Sequence, residues 1–332
     1  MTTKNCVPLA CALAVLSVFT TTAAAQAPAK SAATDYPNRS TRFIVPYTPG
    51  AINDFVARLV AQKLTDAWGQ QVVVDNRPGA GTLIGTELVA RANPDGYTLL
   101  LVPTAFAVNV TLYPKLPYDP IRDFTPVTQI GSAPFLLVCG AQLPVKNVKE
   151  LVALAKAKPG QLSYGSTGSG GSAHLMGEMF KSQTGIEMSH IPYKGLAPAL
   201  TDVMAGQVSC TFGSQLAVDG NVKSGRLRAL AVTSKLRSKA APDIPSIAEQ
   251  GYPEYNGTGW WGVVVPAGTP KPIVTKLNGD IVRLLSAPDV RERLLSQGVE
   301  IAASSPEQFA QFIKDEIKRW SVAVKQSGAK PD

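Results

Sequence analysis

The chain has 332 residues, 45% hydrophobic and 17% charged, with 32 Lys+Arg against 24 Asp+Glu for a formal charge of +8. At roughly 150 residues per domain there is room for about two domains, and the apolar content excludes wholesale disorder. No Lys/Arg-rich arm marks a nucleic-acid binder, two histidines argue against a His-built metal site, and four cysteines without a C-x-x-C spacing exclude a zinc finger or thioredoxin-type motif.

Residues 1–25 carry one lysine (Lys4), an apolar run over 7–19 and a small-residue end, Ala23-Ala24-Ala25. This is the pattern of a secretory signal peptide cleaved after Ala25 or Ala27. The apolar run, about 13 residues, is shorter than the ~20 needed to span a bilayer. The mature protein is therefore expected to be exported, to the periplasm. Removing the leader leaves Cys139 and Cys210, each in an apolar, strand-like run. Free buried thiols are the expectation for them, ahead of a disulfide.

Residues 42–46 read as a buried strand, Pro49-Gly50 as a turn, and Asn53 or Asp54 as the cap of a helix. Phe55, Val56, Leu59, Val60, Leu64 and Trp68 share one face of that helix. A strand over 71–74, a Gly-rich turn at 79–81, a helix over 83–92 and a strand over 97–102 follow. The alternation resumes with a capped helix after Asn147, a strand over 162–165 and a helix from Ser172. Next come a strand over 188–193, a helix over 197–205 and strands over 208–212 and 227–233. A last strand over 260–265 precedes three amphipathic helices, over 272–285, 290–297 and 306–326. Strands that are apolar throughout, rather than alternating, imply sheets covered on both faces, as in open α/β folds.

Two glycine-rich turns, each between a strand and a helix, stand out. The first is Pro46-Tyr47-Thr48-Pro49-Gly50-Ala51-Ile52-Asn53-Asp54; the second runs from Ser166-Thr167-Gly168-Ser169-Gly170-Gly171 to Ser172-Ala173-His174. Backbone N–H groups at a helix start lack intrahelical partners and attract anions, glycine lets a ligand approach, and Ser/Thr hydroxyls add donors. Two such turns, one in each half, suggest an acidic ligand held from both sides of a cleft.

Enzyme motifs are weak by comparison. Gly168-x-Gly170-x-x-Ala173 matches a dinucleotide fingerprint in form, but Glu187 precedes a strand instead of ending one. A nucleophile elbow would need glycine where His174 stands, and no Gly-Lys-Ser/Thr exists for a P-loop. No catalytic residue, metal ligand or cofactor is expected.

The chain resembles the Bug (TctC-type) extracytoplasmic solute-binding proteins of tripartite tricarboxylate transporters. The resemblance rests on Ile44-Val45-Pro46-Tyr47-x-Pro49-Gly50 with Asp54, Val74-Asp75-Asn76-Arg77-Pro78-Gly79-Ala80-Gly81 and Pro94-Asp95-Gly96-Tyr97-Thr98-Leu99. Leu116-Pro117-Tyr118-Asp119-Pro120, Ile191-Pro192-Tyr193-Lys194-Gly195 and Pro266-Ala267-Gly268-Thr269-Pro270 extend it over nearly all the mature chain. It implies two doubly wound α/β domains with a hinge, like type II periplasmic binding proteins: 36–131 plus 247–332, and 132–246. It also implies a non-enzymatic monomer that captures a small organic carboxylate (mono-, di- or tricarboxylate, aromatic ones included) and delivers it to integral membrane permease subunits. The alternative is a sensor that presents its closed form to a signalling receptor.

Carried onto this sequence, the resemblance offers Tyr47, Thr48, Gly50, Ala51 and Asn53 from the first loop. The second loop offers Ser166, Thr167, Gly168, Ser169, Gly170, Ser172 and His174, with Thr104, Tyr193, Lys194, Gly213 and Ser214 bordering the cleft. The chain departs from the family pattern at three places. Ala51 replaces a usual second glycine, Asn53 a common Ser/Thr, and Gly213 an aspartate carried by many relatives. Gly213 is expected to open space for a bulkier ligand without an amino group.

Overall fold

The computed structural model describes residue 2, residues 35–168 and residues 170–331. The leader read over 1–25 lies outside the described residues apart from residue 2, as does Ser169 of the second loop.

The chain runs β1 (Thr41–Val45), α1 (Ile52–Trp68), β2 (Val72–Asn76), a single turn of 3-10 helix (Ala80–Thr82), α2 (Leu83–Ala90), β3 (Thr98–Pro103), α3 (Ala105–Leu112) and the long β4 (Phe124–Gly140). It continues through α4 (Val148–Ala157), β5 (Ser163–Ser166), α5 (Ser172–Thr184), β6 (Ser189–Pro192), α6 (Leu196–Ala205), β7 (Cys210–Ser214), α7 (Gln215–Lys223) and β8 (Leu227–Val232). It ends with β9 (Thr258–Pro266), α8 (Lys271–Leu285), α9 (Pro288–Leu295), β10 (Glu300–Ile301) and α10 (Pro306–Ser327).

Two sheet regions share β4. In the first the order is β2-β1-β3-β9-β4, with β10 also on β4; β1 is parallel to β2 and β3, and β9 antiparallel to β3 and β4. In the second, β4 pairs antiparallel with β7 and β8, and β5 lies parallel between β7 and β6. The handover falls between Pro134, which pairs with Thr258, and Phe135, which pairs with Ser214. Each sheet region is packed on both faces. Helices α1, α8 and α9 cover one face of the first, and α3 and α10 the other. Helices α4 and α5 cover one face of the second, and α6 and α7 the other. This is the open α/β architecture, with sheets covered on both faces, that the continuous apolar strands imply; Leu99, Leu100, Leu101 and Val102 of β3 are all fully buried.

Sequence reading places most of these elements within a few residues but leaves β4 visible only at its apolar end. Pro126, Gly131 and Pro134 interrupt the pattern before it; register shifts against β9 follow Pro126 and precede Gly131, and Pro134 ends the pairing with β9. Helices α3 and α7 are likewise not marked by the sequence pattern.

Two expectations are corrected. Cys139 and Cys210 are not free thiols: they form a disulfide, because the antiparallel register of β4 and β7 sets them opposite each other with Cα atoms 4.0 Å apart. Neither Asn53 nor Asp54 is the cap of α1. The cap position is Ala51, which has no side chain able to serve. Asp54, one turn in, is 5% exposed and reaches back to the N–H of Gly50 at 3.0 Å. It also accepts from Arg58 Nε at 2.8 Å and Asn76 Nδ2 at 3.0 Å.

Burial of Asp54 acts to raise its pKa, but the hydrogen bonds from Arg58, Gly50 and Asn76 outweigh it and hold the carboxyl below its ordinary value. A folded pKa below the unfolded one contributes stability above the ordinary aspartate value of about 3.9 and loses it as the pH falls through the folded value. Asp54→Asn is therefore expected to cost about 1–3 kcal/mol at pH 7. The deficit should shrink as the pH drops below 4, as read by urea unfolding of both proteins across that range. A deficit independent of pH would refute the charged role.

Candidate functional site

The ends of β1, β5, β6 and β7 and the turn after β2 meet around a cavity of about 470 Å³. In open α/β sheets ligands sit beyond the carboxyl ends of the strands, because the following helices begin there. The first loop brings Tyr47, Thr48, Ala51, Ile52 and Asn53 to the wall. Thr167, Gly168, Ser172 and Ala173 come from the second loop, Tyr193 to Leu196 from the β6–α6 connection, and Phe212 and Ser214 from β7. Phe135, the first residue of β4 beyond the handover, lies between the two halves.

Charge is unevenly distributed here. Lys194 is the cavity's only lysine or arginine among the described residues, and no aspartate or glutamate lines it. Four helices, α1, α5, α6 and α7, begin at this wall, with Ala51, Gly171, Gly195 and Ser214 in their cap positions. None of these side chains caps its helix. Of the helices that start elsewhere, α4 and α10 are capped by Asn147 and Ser305, while α8 and α9 have no side-chain cap. Uncapped helix starts leave N–H donors and the positive end of each dipole toward the cavity, a setting that favours an anion.

The aromatic walls are held by their own contacts. Tyr47 is half-buried, and burial pushes its hydroxyl up to about 12. Tyr193 donates to Asp202 at 2.6 Å; burial, then this carboxylate, push its hydroxyl up to about 12. Both therefore stay neutral donors at physiological pH.

Of the residues expected at the site, Tyr47, Thr48, Ala51, Asn53, Thr167, Gly168, Ser172, Tyr193, Lys194 and Ser214 come together on this wall. Others do not reach it. The Gly50 amide is taken by Asp54. Thr104 lies on a separate recess of about 40 Å³, which shares Tyr47, Ile52, Asn53, Phe135 and Ser172 with the cavity. Thr104 Oγ1 accepts from the Trp260 amide at 3.0 Å.

Ser166, Gly170 and His174 form a supporting layer behind the second loop. Ser166 Oγ lies 2.6 Å from His190 Nε2, and the Gly170 amide donates to His174 Nδ1 at 2.9 Å. The two imidazoles stack at 3.9 Å between centroids, with Tyr164 against them. A Cβ on Gly170 would come 1.9 Å from Leu112 of α3, so this glycine is a point of contact with the other half of the molecule.

Gly213 also departs from expectation. A Cβ there would meet Val218 Cγ1 at 2.4 Å, so the glycine is packed under α7 and opens no room for a ligand.

Sequence reasoning missed Ile52, Phe135, Leu196 and Phe212, whose apolar character reads as core. It also missed the turn from Pro78 to Thr82. The signal for that turn was the run Pro78-Gly79-Ala80-Gly81. Ala80 and Thr82 both have positive φ, 46° and 86°, conformations that are costly without glycine and cluster at functional walls. Asn109 of α3 holds the turn, donating to Gly81 O at 2.8 Å and to Thr82 Oγ1 at 3.1 Å.

Residues 56–329 match the family described as the Tripartite tricarboxylate transporter family receptor. The chain is 40% identical over 320 residues to Protein BugT of Bordetella pertussis, covering 96% of this chain and 98% of that protein. Among solved structures it is similar to R. palustris Rpa4515 with adipate (37% identity, TM-score 0.85), covering 90% of this chain and all of that one. It is also similar to the periplasmic binding protein BugD (34% identity, TM-score 0.81), over the same shares.

Proposed function

The chain belongs to the tripartite tricarboxylate transporter receptor family, and from that membership we propose that it captures a small organic carboxylate in the periplasm and hands it to membrane permease subunits. The observation that carries the ligand class is the cavity wall: one lysine, no carboxylate, and four uncapped helix starts. An ammonium group would find no anion there, and an unpaired buried charge costs several kcal/mol. The ligand on this reading has one or two carboxylates and no amino group. Tyr47, Ile52, Phe135 and Phe212 give its carbon skeleton an apolar seat.

The two halves, 36–131 with 247–332 and 132–246, act as lobes that close on the ligand about the β4 handover and the return into β9. Export follows from the leader read over residues 1–25. The adipate-bound relative supports the carboxylate class without fixing chain length for this protein.

Calorimetric titration with malate, succinate, adipate, citrate, benzoate and terephthalate, against aspartate and glutamate, tests the ligand class. At least one plain carboxylate should bind and stabilise the fold by RT ln(1 + [L]/Kd), about 2.7 kcal/mol at a hundredfold excess. Binding of an amino acid with none of the plain carboxylates would overturn it. Unchanged uptake of the bound carboxylate in a strain lacking the protein would overturn delivery.

A further inference from the structure

Asn53 stands on the wall shared by the cavity and the recess behind it. Its Oδ1 accepts a hydrogen bond of 2.6 Å from the indole Nε1 of Trp261 on β9, a residue 208 positions away in the chain and 3% exposed. An indole N–H can only donate, so this bond decides which end of the carboxamide faces the tryptophan. Turning the amide over would set its N–H2 against the indole N–H, two donors facing one another beside a buried ring. The polar atom left for an occupant of the cavity is Nδ2, which has no protein partner among the described residues.

The neighbouring hydroxyls of Thr48, Ser172 and Ser214 rotate to donate or accept, so they impose no choice on a ligand. The Nδ2 group that Asn53 keeps free in this fixed orientation and the Lys194 ammonium donate only. We infer that Trp261 is a positioning residue: by holding Asn53 as an obligate donor, it makes the site select a carboxylate over the corresponding amide. A carboxylate has an acceptor oxygen for each of Nδ2 and the Lys194 ammonium, whereas an amide has one carbonyl oxygen and, meeting both, sets its N–H2 against one of the two donors. The inference rests on the carboxylate reading above and adds the group that enforces it.

The test compares each carboxylate bound by the wild type with its amide counterpart, for example adipate with adipamate, in wild type, Trp261→Phe, Asn53→Ala and the double variant. Trp261→Phe keeps an aromatic ring in the strand and removes the donor. The wild type should prefer the acid by tenfold or more, and Trp261→Phe should weaken acid binding by roughly fivefold to tenfold while the preference falls to about twofold, the range of one lost hydrogen bond. The double variant should be no worse than Asn53→Ala, since the tryptophan acts through that amide. An unchanged acid-to-amide ratio in Trp261→Phe, or additive losses in the double variant, would overturn the inference.

A second readout needs no ligand. The Trp261 indole N–H resonance of the free protein should be protected from exchange and lose that protection in Asn53→Ala. If it is unprotected in the wild type, Trp261 does not hold Asn53 and the inference fails. If the wild type binds none of the carboxylates, the functional reading fails and the selectivity falls with it, while the resonance still reports on the Trp261–Asn53 contact.

Discussion

Ser172→Asp is expected to raise the dissociation constant of the bound carboxylate at least a hundredfold while leaving the protein as stable as before. Ser172 is the first residue of α5 and lines both the cavity and its recess. An aspartate there is favourable to the helix, since a negative charge in the first turn contributes about 0.3–1 kcal/mol. For an anionic ligand the same charge is an obstacle. At ~5 Å and an effective dielectric constant of about 20, two like charges repel by about 3 kcal/mol, and each 1.4 kcal/mol is a factor of ten in affinity. The new carboxylate would also occupy the free N–H groups that the ligand needs. Ser172→Asn, equal in size and neutral, should stay within several-fold of wild type. Titration of both variants, with thermal unfolding alongside, decides the matter: wild-type affinity in a folded Ser172→Asp protein would move the anion site away from α5. Gly170 is unsuited to the same experiment, because any side chain there strikes Leu112 before it meets a ligand.

The largest loss of stability is expected far from the ligand, at Glu316 of α10. Its side chain is 6% exposed, and Oε2 accepts from the indoles of Trp260 at 2.7 Å and Trp320 at 2.9 Å, and from Arg319 Nη2 at 2.9 Å. Trp260 and Trp320 are themselves 1% and 0% exposed, so neither indole has water to turn to. Arg319 also donates to Asn256 O at 3.1 Å, tying the helix to the segment that leads into β9. Glu316→Ala removes the acceptor common to all three donors and should cost about 3–5 kcal/mol, the usual effect of breaking a buried charged pair from one side. Glu316→Gln keeps one carbonyl oxygen and should cost roughly half as much. Guanidinium unfolding of the three proteins measures this. A loss below 1 kcal/mol for Glu316→Ala would show that the indoles find other acceptors.

These two residues were not equally legible. Ser172 sits in a glycine-rich turn whose chemistry is local: small residues, hydroxyls and a helix start within a few positions. Glu316 looks like any charged residue in an amphipathic helix; Trp320 stands one turn along the same helix, and only the packing of α10 against β9 adds the indole of Trp260. The same division runs through the cavity. Tyr47, Thr48, Asn53, Thr167, Gly168 and Lys194 lie in motifs that a reader can find, whereas Phe135, Leu196 and Phe212 read as core until the strands are paired.

The alternation of elements, the apolar strands covered on both faces, the two glycine-rich helix starts and the family can all be read from the residues in order. The first three depend on neighbours within about a dozen residues, where periodicity and backbone preference act directly, and the family on the order of short motifs along the chain. Register between distant segments, which the folded chain sets, accounts for the rest. It paired Cys139 with Cys210 by setting β4 against β7, and it ran β4 on through Pro126 and Gly131 because the pairing with β9 shifts register at both. It turned Gly213 toward Val218 and Gly170 toward Leu112, and neither glycine lines the cavity. It also brought Trp261 to Asn53 across 208 residues of chain. Directional contacts of this kind leave no trace in local composition, because which way a side chain or a missing Cβ faces is fixed by the partner strand or helix and not by the residues on either side.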